Sequence, residues 1–200
     1  MYTPSHFEIS DDESLNLINN VSFGQIMVIN EGQITQTYIP FELNREEMCL
    51  FGHVAKKNDL IGAIRRAKTV YVNFLGEHAY ISPNWYASKE QVPTWNYQVV
   101  EVEGKVFTLN EDETLAVITR LSNIHEKQFD QPWTMDKLSE KKTNAMLRAI
   151  TGFKIEITKI SGKSKMSQNK NQEDQESLIR GLESTSDSAN HRVAKLMLLD

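Results

Sequence analysis

The sequence predicts an α+β protein, a small antiparallel barrel of about seven short strands carrying peripheral helices. Three observations lead there. Apolar and β-branched runs bounded by turn residues recur along the chain. Helical periodicity appears between them. The two kinds of segment do not alternate as βαβ units, which argues against a parallel sheet.

The elements follow in order. "DDESLNLINNVSFG" reads as a helix capped by Asp11 or Asp12, with Leu15, Leu17 and Ile18 on its apolar face. "FGQIMVINEGQITQTYIPFEL" reads as a hairpin turning at Glu31-Gly32. Its Ile26 and Val28 alternate with Met27 and Ile29, so both faces are expected to be buried. Strands are predicted over 48–54 and 68–76, with a short helix between them capped by Asn58. Residues 96–109 read as a hairpin or bent strand turning at Glu103-Gly104. The segment 110–129 is a helix with a capping box, Asn110 and Glu113, and a stripe of Leu115, Ile118, Leu121 and Ile124. A second helix is expected to end at Gly152, and 153–160 alternates as a half-buried strand. "ESLIRGL" and "NHRVAKLMLL" are amphipathic pieces joined by "ESTSDSA", a hinge by composition.

Composition narrows the function classes. The chain has 200 residues, a hydrophobic fraction of 40% and a net charge of −5, enough for one sizeable core and not the profile of a wholly basic nucleic-acid binder. Cys49 is the one cysteine, which excludes an intrachain disulfide and a cysteine-based zinc site. The opening "MYTPSHFEISDD" lacks a basic, apolar leader, and no run approaches the roughly 20 apolar residues of a membrane span. A cytoplasmic, membrane-free protein is expected. No Walker loop, dinucleotide fingerprint or nucleophile elbow occurs, and "HEKQF" at His125 lacks the second histidine of a zinc-protease helix.

Charge is nevertheless uneven. Lys141–Lys170 holds eight Lys/Arg and one Glu, a local +7, leaving −12 for the rest of the chain. Such a segment suits a phosphate, a DNA or protein partner, or the acidic face of another subunit. Within it, "GKSKMSQNK" would place Lys163, Lys165, Ser167 and Asn169 along one side if extended. "GHVAKKN" at 52–58 brings lysines to a helix start, a second anion-binding candidate. "HAYISPNWYASKEQVPTWNY" at 78–97 concentrates five of seventeen aromatic residues in a stretch broken by two prolines. Trp85, Tyr86 and Trp95 would wall a planar ring there, and Asn96 and Gln168 would read its carbonyl and N–H groups. The combination fits a planar, phosphorylated heteroaromatic ligand. The alternative is that the rings pack a barrel end or a dimer interface.

The ordered motifs "MYTPSHF", "PFEL", "GHVAKKN", "HAYISPNWY", "VPTWNY", "PW" at 132–133, "AITGFKIEITKISGKSKMSQNK" and "IRGL" resemble the PaiB family, FMN-binding negative transcriptional regulators. The resemblance covers roughly residues 1–182 and implies an FMN-binding split β-barrel domain there, with 183–200 as its C-terminal helical extension. It implies a homodimer with flavin at the subunit interface. By motif position it makes His53, Lys56, Asn58, Ser82, Trp85, Trp95, Asn96, Lys165, Gln168 and Asn169 the candidate cofactor-binding residues. Three positions depart from the family pattern: Tyr38 replaces a histidine, Asn58-Asp59 replaces Asn-Pro, and Lys170 replaces an arginine, losing its bidentate fork. Two other readings stand beside the regulator. One is a flavin-dependent oxidoreductase of the pyridoxamine-phosphate-oxidase or flavin-reductase type, in which the cofactor carries the electrons. The other is a haem protein with His53, His78 or His125 as axial ligand.

Overall fold

The computed structural model describes residues 1–67 and 69–198. In chain order the strands are β1 (Glu8–Ile9), β2 (Phe23–Asn30), β3 (Gln33–Pro40), β4 (Glu42–Asn44), β5 (Cys49–Ala55), β6 (Val70–Ile81), β7 (Thr94–Thr108) and β8 (Ile150–Lys165). The helices are α1 (Asp11–Val21), α2 (Asp59–Arg66), α3 (Glu111–Glu126), α4 (Glu140–Leu147), α5 (Gln172–Glu183) and α6 (Ser188–Met197). One sheet has the order β3-β2-β6-β7-β8-β5-β4, with β1 paired to β8. The β1–β8, β2–β3, β2–β6, β4–β5 and β5–β8 pairs are antiparallel. The expected α+β class and antiparallel sheet are therefore present, with eight strands among the described residues for the roughly seven expected. No helix among the described residues is long and apolar enough to cross a membrane.

The chain divides into two compact units, Met1–Leu17 with Leu75–Val100 and Ser161–Asp200, and Ile18–Phe74 with Glu101–Ile160. In the second unit the β2–β3 hairpin turns where predicted. Asn30 pairs with Gln33, and Glu31 and Gly32 both have positive φ, 49° and 79°. That is the geometry of a two-residue turn matched to strand twist. Only one face of the hairpin is core, however. Ile26 and Val28 are sealed, whereas Ile29 is 53% exposed. Phe41 meets Phe74 and Phe153 edge-on, with centroids 5.5 and 6.4 Å apart, at the centre of this unit. Asn58 caps α2 by accepting the Leu60 N–H at 2.9 Å, and Asn110 and Glu113 form the predicted box on α3.

Four local expectations are corrected. Ser10, not Asp11 or Asp12, caps α1. Its Oγ accepts the Glu13 N–H while its own N–H donates to Glu13 Oε2 at 2.8 Å. Residues 94–108 form one unbroken strand. Gly104 serves close approach rather than a turn, because a Cβ there would lie 2.5 Å from the Glu156 carbonyl oxygen. The buried face of α3 is Thr114, Val117, Ile118 and Leu121, and Ile124 is exposed. Finally, α4 ends at Leu147 and the chain is already extended at Ile150, so Gly152 is a strand residue.

The first unit has its own core of Ala79, Ile81, Tyr86, Met166, Leu178, Leu182, Val193, Ala194 and Met197. The predicted hinge between α5 and α6 is a tight connection whose polar side chains satisfy helix ends. Ser184 Oγ and Thr185 Oγ1 each donate at 2.8 Å, to the Gly181 and Leu182 carbonyls, and Asp187 caps α6 through the Ala189 N–H.

Candidate functional site

Seven of the ten candidate residues fall in the first unit and three in the second. In the first unit, β8 ends at Lys165 and the chain reverses at Ser167, whose φ of 64° ends the extended conformation. The single row of Lys163, Lys165, Ser167 and Asn169 therefore does not form. Gln168 folds back instead. Its Oε1 accepts the Met166 N–H and its Nε2 donates to the Ser164 carbonyl, both at 2.7 Å. The side-chain amide thus satisfies two backbone groups where the ladder stops. Asn96 is fully buried; its Oδ1 accepts from Ser167 Oγ at 3.0 Å and its Nδ2 points to Met197 Sδ at 3.5 Å. It pins β7, the reversal at 167 and α6 together. Asn169 is exposed. Ser82 Oγ accepts the Asn84 N–H at 3.2 Å and starts the turn Pro83–Trp85, whose indole lies against Gly181 of α5.

This frame holds three lysines and an exposed ring set. Lys165 Nζ donates to the Trp95 carbonyl at 2.7 Å and to Thr94 Oγ1. Lys163 is 9% exposed, and its Nζ stands 5.1 Å from the Tyr97 ring centroid. Lys170 Nζ donates to Gln91 Oε1 at 2.9 Å and lies 5.3 Å from the Tyr86 centroid. No carboxylate among the described residues forms an ion pair with any of the three. Burial, then the charges of Lys163 and Lys170, push the Lys165 ammonium below the ordinary lysine range. None of the three ammonium groups thus has a direct carboxylate partner, and Lys170 reaches the Asp174 carboxylate only through Gln91 and Ser88. Trp95 is 53% exposed, with Tyr80 at 5.9 Å and His78 at 6.4 Å between centroids. Cations without counter-ions beside a free indole fit a ligand that is flat at one end and anionic at the other, which is the chemistry of a flavin mononucleotide.

One supporting interaction was not anticipated. Ser88 donates through its N–H and its hydroxyl, both at 2.8 Å, to the two oxygens of Asp174, clasping the 86–91 loop to α5. The Ser88 N–H, then the Ser88 hydroxyl, hold the Asp174 carboxyl below the usual range. Asn171-x-x-Asp174 is a capping spacing, and that was the available signal; the loop partner lies 86 residues away.

In the second unit Asn58 is committed to its cap, and Lys56 is exposed beside a crevice of about 190 Å³ shared with Arg65. His53 is half-buried, and its Nδ1 is sealed without a hydrogen-bond partner. Burial lowers its pKa from the ordinary 6.5. The neutral ring is thus favoured in the fold, while the unfolded chain binds a proton more readily. Stability should therefore rise with pH through the window just below 6.5. Thermal midpoints should fall as pH drops across that window, and His53→Gln should flatten the slope. An unchanged slope would contradict this assignment.

The fold defines the class. An antiparallel α+β sheet of this topology is a split barrel, a fold that solved proteins share. Flavocytochrome Anf3 from Azotobacter vinelandii superposes with a TM-score of 0.60 over 82% of this chain and 72% of that one, at 11% identity. An FAD-binding protein from Mesorhizobium loti does so with a TM-score of 0.51 over 78% and 94%, at 14% identity. At such identities the likeness is one of fold. The sequence places the chain within the class: it belongs to the family described as "Putative FMN-binding domain", matched over residues 1–159. It is 36% identical over 200 residues to the "Protease synthase and sporulation protein PAI 2" of Bacillus subtilis, covering 98% of this chain and 96% of that protein. The resemblance read from the ordered motifs is thereby borne out.

Proposed function

We propose that this chain binds FMN as a homodimer and serves as a negative regulator of transcription. The observation that carries the flavin reading is the trio Lys163, Lys165 and Lys170, unpaired with any described carboxylate, beside the exposed Trp95 indole. In this reading Lys165 and its neighbours hold the phosphate and Trp95 lies against the ring system. Asn96, Gln168, Ser82 and Trp85 keep that frame in register. Lys56, exposed in the second unit, is the other candidate cation, with His53 and Asn58 flanking it in the motif. Bound flavin would supply electron-accepting ring chemistry; the chain's own residues bind and orient it. The test is titration of the purified protein with FMN, followed by quenching of flavin fluorescence. Lys165→Met should weaken binding by about tenfold or more. Equal affinities for Lys165→Met and the parent would move the phosphate elsewhere, and Lys56→Met is the companion measurement.

The homodimer is supported by an apolar sheet face. Phe23, Ile29, Ile34 and Tyr38 are 53–64% exposed, and the register places them on one side of the β2–β3 hairpin. Phe23 and Tyr38 stack at 6.5 Å. A face of this kind, built from aromatic and aliphatic side chains, suits a partner better than water. Ile34→Glu combined with Tyr38→Glu should halve the mass measured by light scattering while the circular dichroism spectrum is retained. A mass unchanged by the double substitution would remove this face from the interface.

The regulatory reading is supported by the 36% relative, whose name ties it to protease synthesis and sporulation. Of the basic segment, Lys141, Lys142, Arg148 and Lys159 are exposed, whereas Lys154 is paired with Glu156 at 2.9 Å. The exposed four are the proposed phosphate contacts for DNA. Band shifts against genomic fragments should weaken steeply with salt. No retardation at low salt would end the DNA version.

A further inference from the structure

The segment after α3 folds back on itself. Glu126, at the end of that helix, accepts the Trp133 N–H at 2.7 Å. Trp133 and Met135, Leu121 of α3 and Met146 of α4 line an open cavity of about 500 Å³ in the second unit. That size lies within the range of small-molecule sites. Leu121, Trp133, Met135 and Met146 make its lining largely apolar, and no lysine or arginine among the described residues contributes to it. His53 enters the same wall from β5. Its Nδ1 is sealed within the protein with no hydrogen-bond partner, an unmet capacity that a ligand group satisfies only by displacing the side chains that cover it.

These features select an occupant. A phosphorylated or carboxylated molecule finds no lysine or arginine in the walls, which hold the Glu126 carboxylate beside His53 and His125. A flat hydrocarbon without a polar edge leaves His53 Nδ1 unpaired, which costs free energy because that atom is itself shut off from water. Indole and thioether side chains provide polarizable surfaces for an aromatic ring. We propose that this cavity is a binding site for a neutral, bicyclic aromatic small molecule with one hydrogen-bonding edge directed at His53, a ligand distinct from the flavin. The inference stands independently of the flavin reading. It gives a role to the Pro132-Trp133 motif, which the proposed flavin site leaves unused.

N-phenyl-1-naphthylamine, a neutral aromatic amine whose fluorescence rises in apolar surroundings, is the probe. The full chain should bind it saturably, with or without saturating FMN. Excitation of tryptophan should sensitise the probe, and Trp133→Phe should remove most of that sensitised emission. Ser122→Trp, which fills the cavity, should weaken binding about tenfold. Met146→Trp, at the exposed rim, is the second filling variant should the first fail to fold. The proposal is overturned if the probe does not saturate, if folded filling variants bind it as the parent does, or if FMN displaces it. Failure of FMN to bind at all would sink the flavin reading and leave this one standing.

Discussion

Trp85→Ala will destabilise the protein by about 3 kcal/mol, the lower end of the range for removing a large aromatic side chain from packed surroundings. Flavin affinity at concentrations where the variant remains folded should change little. Trp95→Ala will do the opposite, shifting stability by no more than about 0.5 kcal/mol and weakening flavin about tenfold. Both tryptophans sit in one aromatic-rich stretch and both were candidate ring contacts. The structure separates them. Trp85 packs against the core of the first unit, with Leu178, Leu182 and Val193 within that core. Its indole lies so close to α5 that a Cβ at Gly181 would come within 2.4 Å of the ring Cγ. Gly181→Ala, ordinarily a gain of up to about 1 kcal/mol in a helix, should therefore be a loss here. Trp95 is 53% exposed and makes only loose ring contacts with Tyr80 and His78. Chemical denaturation and FMN titration of the same variants decide the matter. Loss of both properties in both variants would mean that the rings serve packing alone.

Gly104→Val will destabilise by about 3 kcal/mol or more, at or beyond the usual upper end for overpacking. The reason is what the new atoms would meet. A Cβ at position 104 lies 2.5 Å from the Glu156 carbonyl oxygen and 2.5 Å from Ile155 Cγ2. A flexible side chain could rotate aside, but the carbonyl belongs to β8 and moves only with the strand. Ile155 is itself fully buried beside Phe153 in the core of the second unit. Valine is otherwise a favoured strand residue, so a measured gain in stability would show that β7 and β8 approach less closely at this point than described. Denaturant unfolding of the variant is the measurement, and the folded baseline of near-ultraviolet circular dichroism checks that the native packing is reached.

The two predictions mark where sequence reading succeeded and where it could not reach. Local signals held: the Glu31-Gly32 turn, the Asn58 cap and the Asn110–Glu113 box each depend on residues a few positions apart, and each formed, while of the alternation read over 153–160 the strand formed throughout but the burial alternates only from Phe153 to Glu156. The ordered motifs were long enough to give the family and with it the fold. Gly104 was misread because a strand glycine that admits a neighbouring backbone has the same local sequence as a turn glycine. The "SQN" segment was misread for a related reason. Whether it continues a strand or reverses depends on Asn96, 71 residues earlier, which binds Ser167 in the interior.

What the sequence determined by itself was the class of protein, the order of most elements and the residues worth watching, because patterning, caps and turns are short-range properties. What only the tertiary structure decided was which of those residues are free to act. Asn96, Gln168, Asn58 and Trp85 are committed to holding the chain together, while Lys165 is held by neutral oxygens with no carboxylate partner, Trp95 is open, and His53 is left unpaired in a cavity wall. Residue type is written in the chain. Burial and hydrogen-bond satisfaction depend on partners tens of residues away, and those partners meet only in the folded molecule.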